Sequence, residues 1–114
     1  MYSTVMTGAV QGISAYPVSV EVDISPGLPM LNMVGSLSQE AREARDRVSV
    51  ALRNTGLTLP PSRITVNLSP ANRRKEGTAY DLPIAVGLLA AMNHISGKRI
   101  ENTLFLGELG LDGE

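Results

Sequence analysis

Arg73, Arg74 and Lys75 stand side by side, followed at once by Glu76 and, past Gly77, by Asp81. Three adjacent cations attract phosphate but carry no means of reading a base sequence. Nucleic-acid binding through them would be salt-sensitive and non-specific. Glu76 and Asp81 bracket the run, and a carboxylate couple can do acid–base work. The same two acids also have a structural use, which we favour: Asp81 caps the helix that follows, and Glu76 pairs with a neighbouring arginine.

Other chemistry is thin. His94 is the only histidine and has no second histidine for a metal pair. Cysteine is absent, which excludes disulfides and thiolate-bound metals. No G-x-x-x-x-G-K-[ST] run occurs, so this chain has no phosphate loop and is not expected to hydrolyse ATP by itself. Ser69 has no evident base beside it. Three tyrosines and one phenylalanine are too scattered to form a base-stacking platform.

The elements that position the charged run are a strand before it and a helix after it. Ile64, Val66 and Leu68 alternate with Thr65, Asn67 and Ser69, the period-two pattern of a strand with one buried face. The helix opens at Asp81, its expected N-cap, with Pro83 in the first turn, where a missing N–H does no harm. Leu82, Ile84, Ala85, Val86, Leu88, Leu89 and Met92 make it apolar on nearly every side, which places it in the middle of a domain. Gly87 costs about 1 kcal/mol against Ala in such a helix. It is therefore expected to mark close packing on the sheet.

Upstream, residues 3–13 form a first strand and Ser14 to Pro17 a turn. Val18, Val20, Val22 and Ile24 alternate with Ser19, Glu21, Asp23 and Ser25 in a second strand, whose polar face should be wet or hydrogen-bonded. Ser25-Pro26-Gly27 turns the chain into a third strand, Met30 to Val34. Short turns predict that these three strands form an antiparallel meander. A helix starts near Ser36 or Ser38, with Ser36 and Gln39 as a capping box. Leu37, Ala41, Ala44, Val48, Ala51 and Leu52 form its apolar stripe. Arg42 with Asp46 and Glu43 with Arg47 form i,i+4 pairs on its wet side. Gly56 stops it, and Pro60 and Pro61 lead into the strand at Arg63. Asn93 to Thr103 is a loop, and Leu104 to Leu106 begins a last strand. The Asp112-Gly113 turn has no return strand, so a piece of a longer protein is expected.

With 114 residues the length suits one domain, 1–114, and the composition is globular. No stretch approaches the roughly 18 apolar residues of a membrane helix. The N-terminus lacks a signal peptide's basic start and apolar core, so a cytoplasmic protein is expected. Net charge is −1, unevenly spread. Between Arg42 and Lys75 lie eight basic residues against two acidic ones; elsewhere lie two basic against nine acidic. This asymmetry suits a polyanion-facing surface, with Arg42 and Arg45 joining Arg73, Arg74 and Lys75. Ordinary solvated helix and loop charge would give the same count.

The runs VEVDISPGLPMLNMVG, EAREARDRVSVALRNTG, RITVNLSPAN, KEGTAYDLPIAVGLLAA and FLGELGLDGE, in this order, cover almost the whole chain. They resemble the N-terminal, ChlI-type domain of the magnesium-chelatase-like AAA+ ATPases, the family of the bacterial competence protein ComM, also called YifB. The resemblance implies an α+β fold similar to domain 2 of ribosomal protein S-five, shared with the proteolytic domain of Lon and the C-terminal domain of RadA. The predicted order βββαβαβ, a mixed sheet with two helices, is compatible with that fold.

Lon-type proteases carry K-D-G-P-S-A-G, with the serine as nucleophile of a Ser-Lys dyad. The matching run here is Lys75-Glu76-Gly77-Thr78-Ala79-Tyr80-Asp81, so the nucleophile position falls on Ala79, which has no reactive atom. Thr78 is one residue off and a poor substitute. The resemblance thus implies no catalytic residue and no cofactor in this chain, with Glu76, Gly77 and Asp81 as loop scaffold. ATP and magnesium would belong to a following AAA+ module of the same polypeptide. It also implies a homo-oligomer, a hexamer in the full protein, linked to DNA branch migration. Three functional classes compete: an accessory domain that aids DNA engagement or ring assembly, a residual Ser-Lys peptidase, and a protein–protein module using an unpaired sheet edge.

Overall fold

Strand and helix chemistry together produce four strands with helices on one side, seen in a computed structural model that describes residues 1–114. The elements are β1 (Tyr2–Gln11), β2 (Ser14–Ser25), β3 (Met30–Val34), α1 (Gln39–Arg42), α2 (Ala44–Asn54), β4 (Arg63–Ser69), α3 (Asp81–Ala91) and α4 (Gly97–Ile100). The fold is α+β with a mixed sheet, as expected.

The meander is not. Strand order is β1-β2-β4-β3, with β4 inserted between β2 and β3, antiparallel to β2 and parallel to β3. A parallel pair needs a long crossover, and the segment carrying α1 and α2 supplies it. A short turn at Pro26-Gly27 is compatible with leaving a gap one strand wide, so turn length alone misled the prediction.

Other boundaries shift too. The first hairpin turns at Gly12 and Ile13, and Ser14 to Pro17 are strand, pairing with Gln11 to Gly8. Gly12 has φ 62°, and Ile13 is not among the positive-φ residues, the pattern of a two-residue type II′ turn with glycine first. The first predicted helix divides at Glu43 into α1 and α2. Its cap is Ser38, whose hydroxyl accepts from the Ala41 N–H at 3.2 Å; Ser36 has φ 61° and makes no capping box. Leu104 contributes only a single bridge, to Met6, instead of opening a strand. The predicted loop at 93–103 holds the short α4.

The core lies between the sheet and α2 and α3. Val5, Val18, Val20, Val22, Ile64, Val66 and Leu68 face Val48, Ile84 and Leu88, all buried. Each fully buried aliphatic contributes about 1.5–3 kcal/mol. Gly87 does mark close packing: a Cβ there would sit 2.8 Å from Val22 Cγ2, and the Gly87 carbonyl accepts from the Ser3 hydroxyl at 2.6 Å. The opposite face of the sheet is polar and hydrogen-bonded, as expected. Asn67 donates to Glu21 at 2.7 Å, and the Tyr2 hydroxyl donates to the same carboxylate at 3.4 Å.

Gly35 ends β3 where the chain crosses the end of β4. Its φ is 123°, and a Cβ would lie 2.3 Å from the Leu68 carbonyl oxygen. Backbone cannot move aside as a side chain can. Gly35→Ala is expected to lose about 3 kcal/mol of stability through strain and clash together. Urea denaturation would show it as a lower midpoint with unchanged slope; an unchanged midpoint would refute the close approach.

Candidate functional site

The charged run sits between the end of β4 and the start of α3, and the fold divides its residues between surface and interior. Arg73 and Arg74 are exposed. The Arg73 guanidinium lies over the Tyr16 ring, 4.5 Å from its centroid, and the Tyr16 hydroxyl donates to the Arg74 carbonyl at 3.2 Å. These contacts fix the two arginines against the turn end of the β1–β2 hairpin, where Tyr16 pairs with Ala9. Arg74 Nε also lies 3.3 Å from Glu76 Oε1, the expected pairing for Glu76. Both partners are exposed, so the pair contributes little.

Lys75 points the other way. It is wholly buried, and its ammonium donates to the carbonyls of Gly35, at 2.6 Å, and Pro70. Its backbone is pinned as well: Lys75 N donates to Ser36 O at 2.9 Å, and Ser38 N donates to Lys75 O at 2.8 Å. Burial strips water from the ammonium and holds its pKa below the ordinary 10.5. The expectation that Lys75 faces a polyanion is therefore corrected. The bridge between the Lys75 backbone and the 36–38 segment turns this cation inward, where it ties three chain segments together.

Asp81 is also wholly buried and does not cap α3. Tyr80 occupies the N-cap position, and no side chain caps the helix. The Asp81 carboxylate instead forms a two-pronged pair with Arg47, at 2.6 and 3.0 Å, and accepts from Leu109 N at 3.1 Å. The same arginine donates to the Glu40 carbonyl at 2.9 Å. Its pKa is raised, first by the hydrogen bond to Asp81. One group thus joins α2, α3 and the 107–109 segment.

Sequence reasoning gave Arg47 only a surface partner. That contact to Glu43 exists at 3.7 Å, but the pair expected between Arg42 and Asp46 does not form; Asp46 lies 3.9 Å from Arg45 instead. A signal for Arg47 was available: it follows Ala44 by three residues and precedes Ala51 by four, so it borders the buried stripe.

Gly77 takes φ 89° in the turn toward α3. Ala79 is exposed, and its carbonyl accepts from Gly107 N at 2.9 Å. The Thr78 hydroxyl is engaged with Glu108 at 2.7 Å. Tyr80 is buried, and burial and then Tyr16 push its hydroxyl up to about 12. Arg42 and Arg45 are exposed on α1 and α2 and share no ion pair or hydrogen bond with Arg73 or Arg74. His94 is exposed beyond α3. The site is therefore a surface pair of arginines on a loop locked from beneath by Lys75 and Asp81.

Comparison with known proteins adds relationship to this geometry. The family model described as subunit ChlI of Mg-chelatase matches residues 20–114. YifB of Escherichia coli, an uncharacterised protein, is 48% identical over 111 residues, 97% of this chain and 22% of its own length. An uncharacterised Mycobacterium tuberculosis protein is 44% identical over 105 residues, covering 92% of this chain and 21% of its own. Competence protein ComM of Haemophilus influenzae is 42% identical over 110 residues, 96% of this chain and 22% of its own. The chain thus spans about a fifth of the length of these relatives.

Proposed function

This chain belongs to the family of the ChlI subunit of magnesium chelatase, in the company of YifB and ComM, and on that premise we propose that it is a non-catalytic accessory domain of a magnesium-chelatase-like AAA+ ATPase. Its fold is of the kind found in domain 2 of ribosomal protein S-five and in Lon, which the parallel β3–β4 pair and the helices on one face support. ATP and magnesium belong to the ATPase module of the longer polypeptide. The domain's part is to help a hexameric ring assemble, or to engage DNA during branch migration. Cytoplasm suits that work; no helix of the chain is long and apolar enough to cross a membrane.

The observation that carries this proposal is the fate of the strongest chemical groups in the Lys75–Asp81 segment. Lys75 and Asp81 are consumed in holding chain segments together, and the exposed position between them is Ala79. A nucleophile needs a reactive atom with a base in reach; Ala79 has no such atom, and the neighbouring Thr78 hydroxyl is tied to Glu108 at 2.7 Å, one residue away from the nucleophile position. Just before this segment, Arg73 and Arg74 are exposed on the same loop, suited to phosphate.

Titration of labelled single-stranded and branched DNA across a salt series tests the contact. Binding should weaken steeply with salt, and replacing Arg73 and Arg74 together by Ala should reduce the log–log slope by about two. No binding at low salt, or a slope indifferent to the substitutions, removes DNA from the proposal and leaves ring assembly. Peptide cleavage that co-purifies with the folded chain would overturn its non-catalytic character.

A further inference from the structure

The outer edge of β1 changes character halfway along. Met1 and Ile24 exchange hydrogen bonds in both directions, at 2.7 and 2.9 Å, which sets the phase of the β1–β2 ladder. Odd-numbered residues of β1 therefore bond to β2, and the N–H and C=O of even-numbered ones point away from it. Met6 uses its carbonyl to accept from Phe105 N at 3.0 Å, and Leu104 bridges to it in parallel. Beyond Met6 this pairing stops. Gly107 N turns aside to the Ala79 carbonyl, and no protein group pairs with the backbone of Gly8 or Val10.

Between the free stretch of β1 and the departing chain lies a groove of about 410 Å³, lined by Gly8, Val10, Ala79, Tyr80, Leu104 and Leu106. Its only charged lining residue is Glu76. Val10, Leu104 and Leu106 are exposed large apolar side chains, in a place where soluble proteins usually blunt an edge with charge or proline.

The geometry points to a peptide-docking groove: an extended segment of a partner protein, with apolar side chains at alternate positions, adds to the edge of β1 at Gly8 and Val10. The chemistry of the occupant is read from the chain itself. Leu104-Phe105-Leu106 is an extended apolar segment, and it already takes the adjoining length of the same edge through Met6. A docking strand continues that pairing where the chain abandons it. Main-chain hydrogen bonds to Gly8 and Val10 supply affinity, and the groove selects the side chains. Ala79, small and exposed, leaves the groove open, and Glu76 disfavours an acidic peptide. This site is separate from the arginine contact and does not rest on it.

The probe is a fluorescein-labelled octapeptide alternating valine and threonine, with a lysine at each end, added to the 114-residue chain. Anisotropy should show saturable binding, and exchange of the Gly8 and Val10 amides should slow by about tenfold or more at saturation. Val10→Pro deletes an N–H that has no partner and is tolerated on an edge strand, so the fold should survive. Its affinity for the probe should fall about tenfold. Leu106→Asp, which charges the groove wall, should weaken binding likewise, while Arg73→Ala should not change it. Failure to bind, or binding undiminished in both groove variants, overturns the proposal. So does protection of Gly8 and Val10 that rises with protein concentration without peptide, which would make the occupant a second copy. Protection by an oligonucleotide in place of the peptide would overturn it equally.

Discussion

Arg47→Ala is expected to lower the unfolding free energy by about 3–5 kcal/mol, the usual cost of orphaning a buried charge. Arg47 is the ionic partner of an Asp81 carboxylate with no solvent exposure, and without it only Leu109 N remains to that carboxylate. The same substitution cuts the link from α2 to the Glu40 carbonyl. Asp81→Ala should cost a comparable amount, because it strands the guanidinium and frees Leu109 N. The double replacement Arg47→Met with Asp81→Leu should cost far less than the two single losses added together, since no buried charge is then left unpaired. Urea titrations of the three variants check this. Additive losses, or an Arg47→Ala loss under about 1 kcal/mol, the range of an exposed pair, would mean that the pair is not a structural anchor.

Lys75→Ala is expected to cost about 2–4 kcal/mol, from the cavity left by the stem and from two carbonyls without a donor. Lys75→Met should cost less, because its chain fills much of the same space. The sharper test is pH. The folded-state pKa of Lys75 lies below its unfolded 10.5, so the unfolded chain binds more protons between those two values. Stability of the native chain should therefore rise with pH across that window. Lys75→Met should abolish the rise. Tyr80, raised to about 12, acts in the opposite sense above pH 10.0, so the Lys75 contribution is read as the difference between the native and Lys75→Met profiles. DNA binding supplies a further check: a buried Lys75 makes no phosphate contact, so Lys75→Met should leave the salt slope unchanged. A loss of one unit of slope with full stability would restore the surface reading.

These two residues also show where a linear reading fails. In sequence, Lys75 and Asp81 are charged groups between two apolar elements, and their nearest neighbours are the only partners that a linear reading offers. Asp81 was given the helix N-terminus, a local partner; its real partner is thirty-four positions away on α2. Lys75 was grouped with Arg73 and Arg74 because they are adjacent, though Lys75 turns inward and the two arginines outward. Local rules rank local partners well, but a buried charge seeks whatever counter-group the packing brings to it. The expected pairing of Glu76 with a nearby arginine did form, because both ends are exposed and close in sequence.

The sequence alone determined the pieces. Alternation placed β2 and β4, and their buried faces were named correctly, because a period of two leaves only one choice of inner face. The apolar stripe from Leu37 to Leu52 and the central position of α3 were legible for the same reason, and Gly87 revealed the helix–sheet contact through the cost of placing glycine there. Tertiary structure decided the rest: that β4 enters between β2 and β3, that Lys75 and Asp81 become internal ties, and that β1 keeps a bare edge at Gly8 and Val10. Hydrophobic pattern says which face is buried but not which strand lies alongside. Strand order, ion-pair choice and unpaired edges depend on groups far apart in the chain, and only their simultaneous packing fixes them.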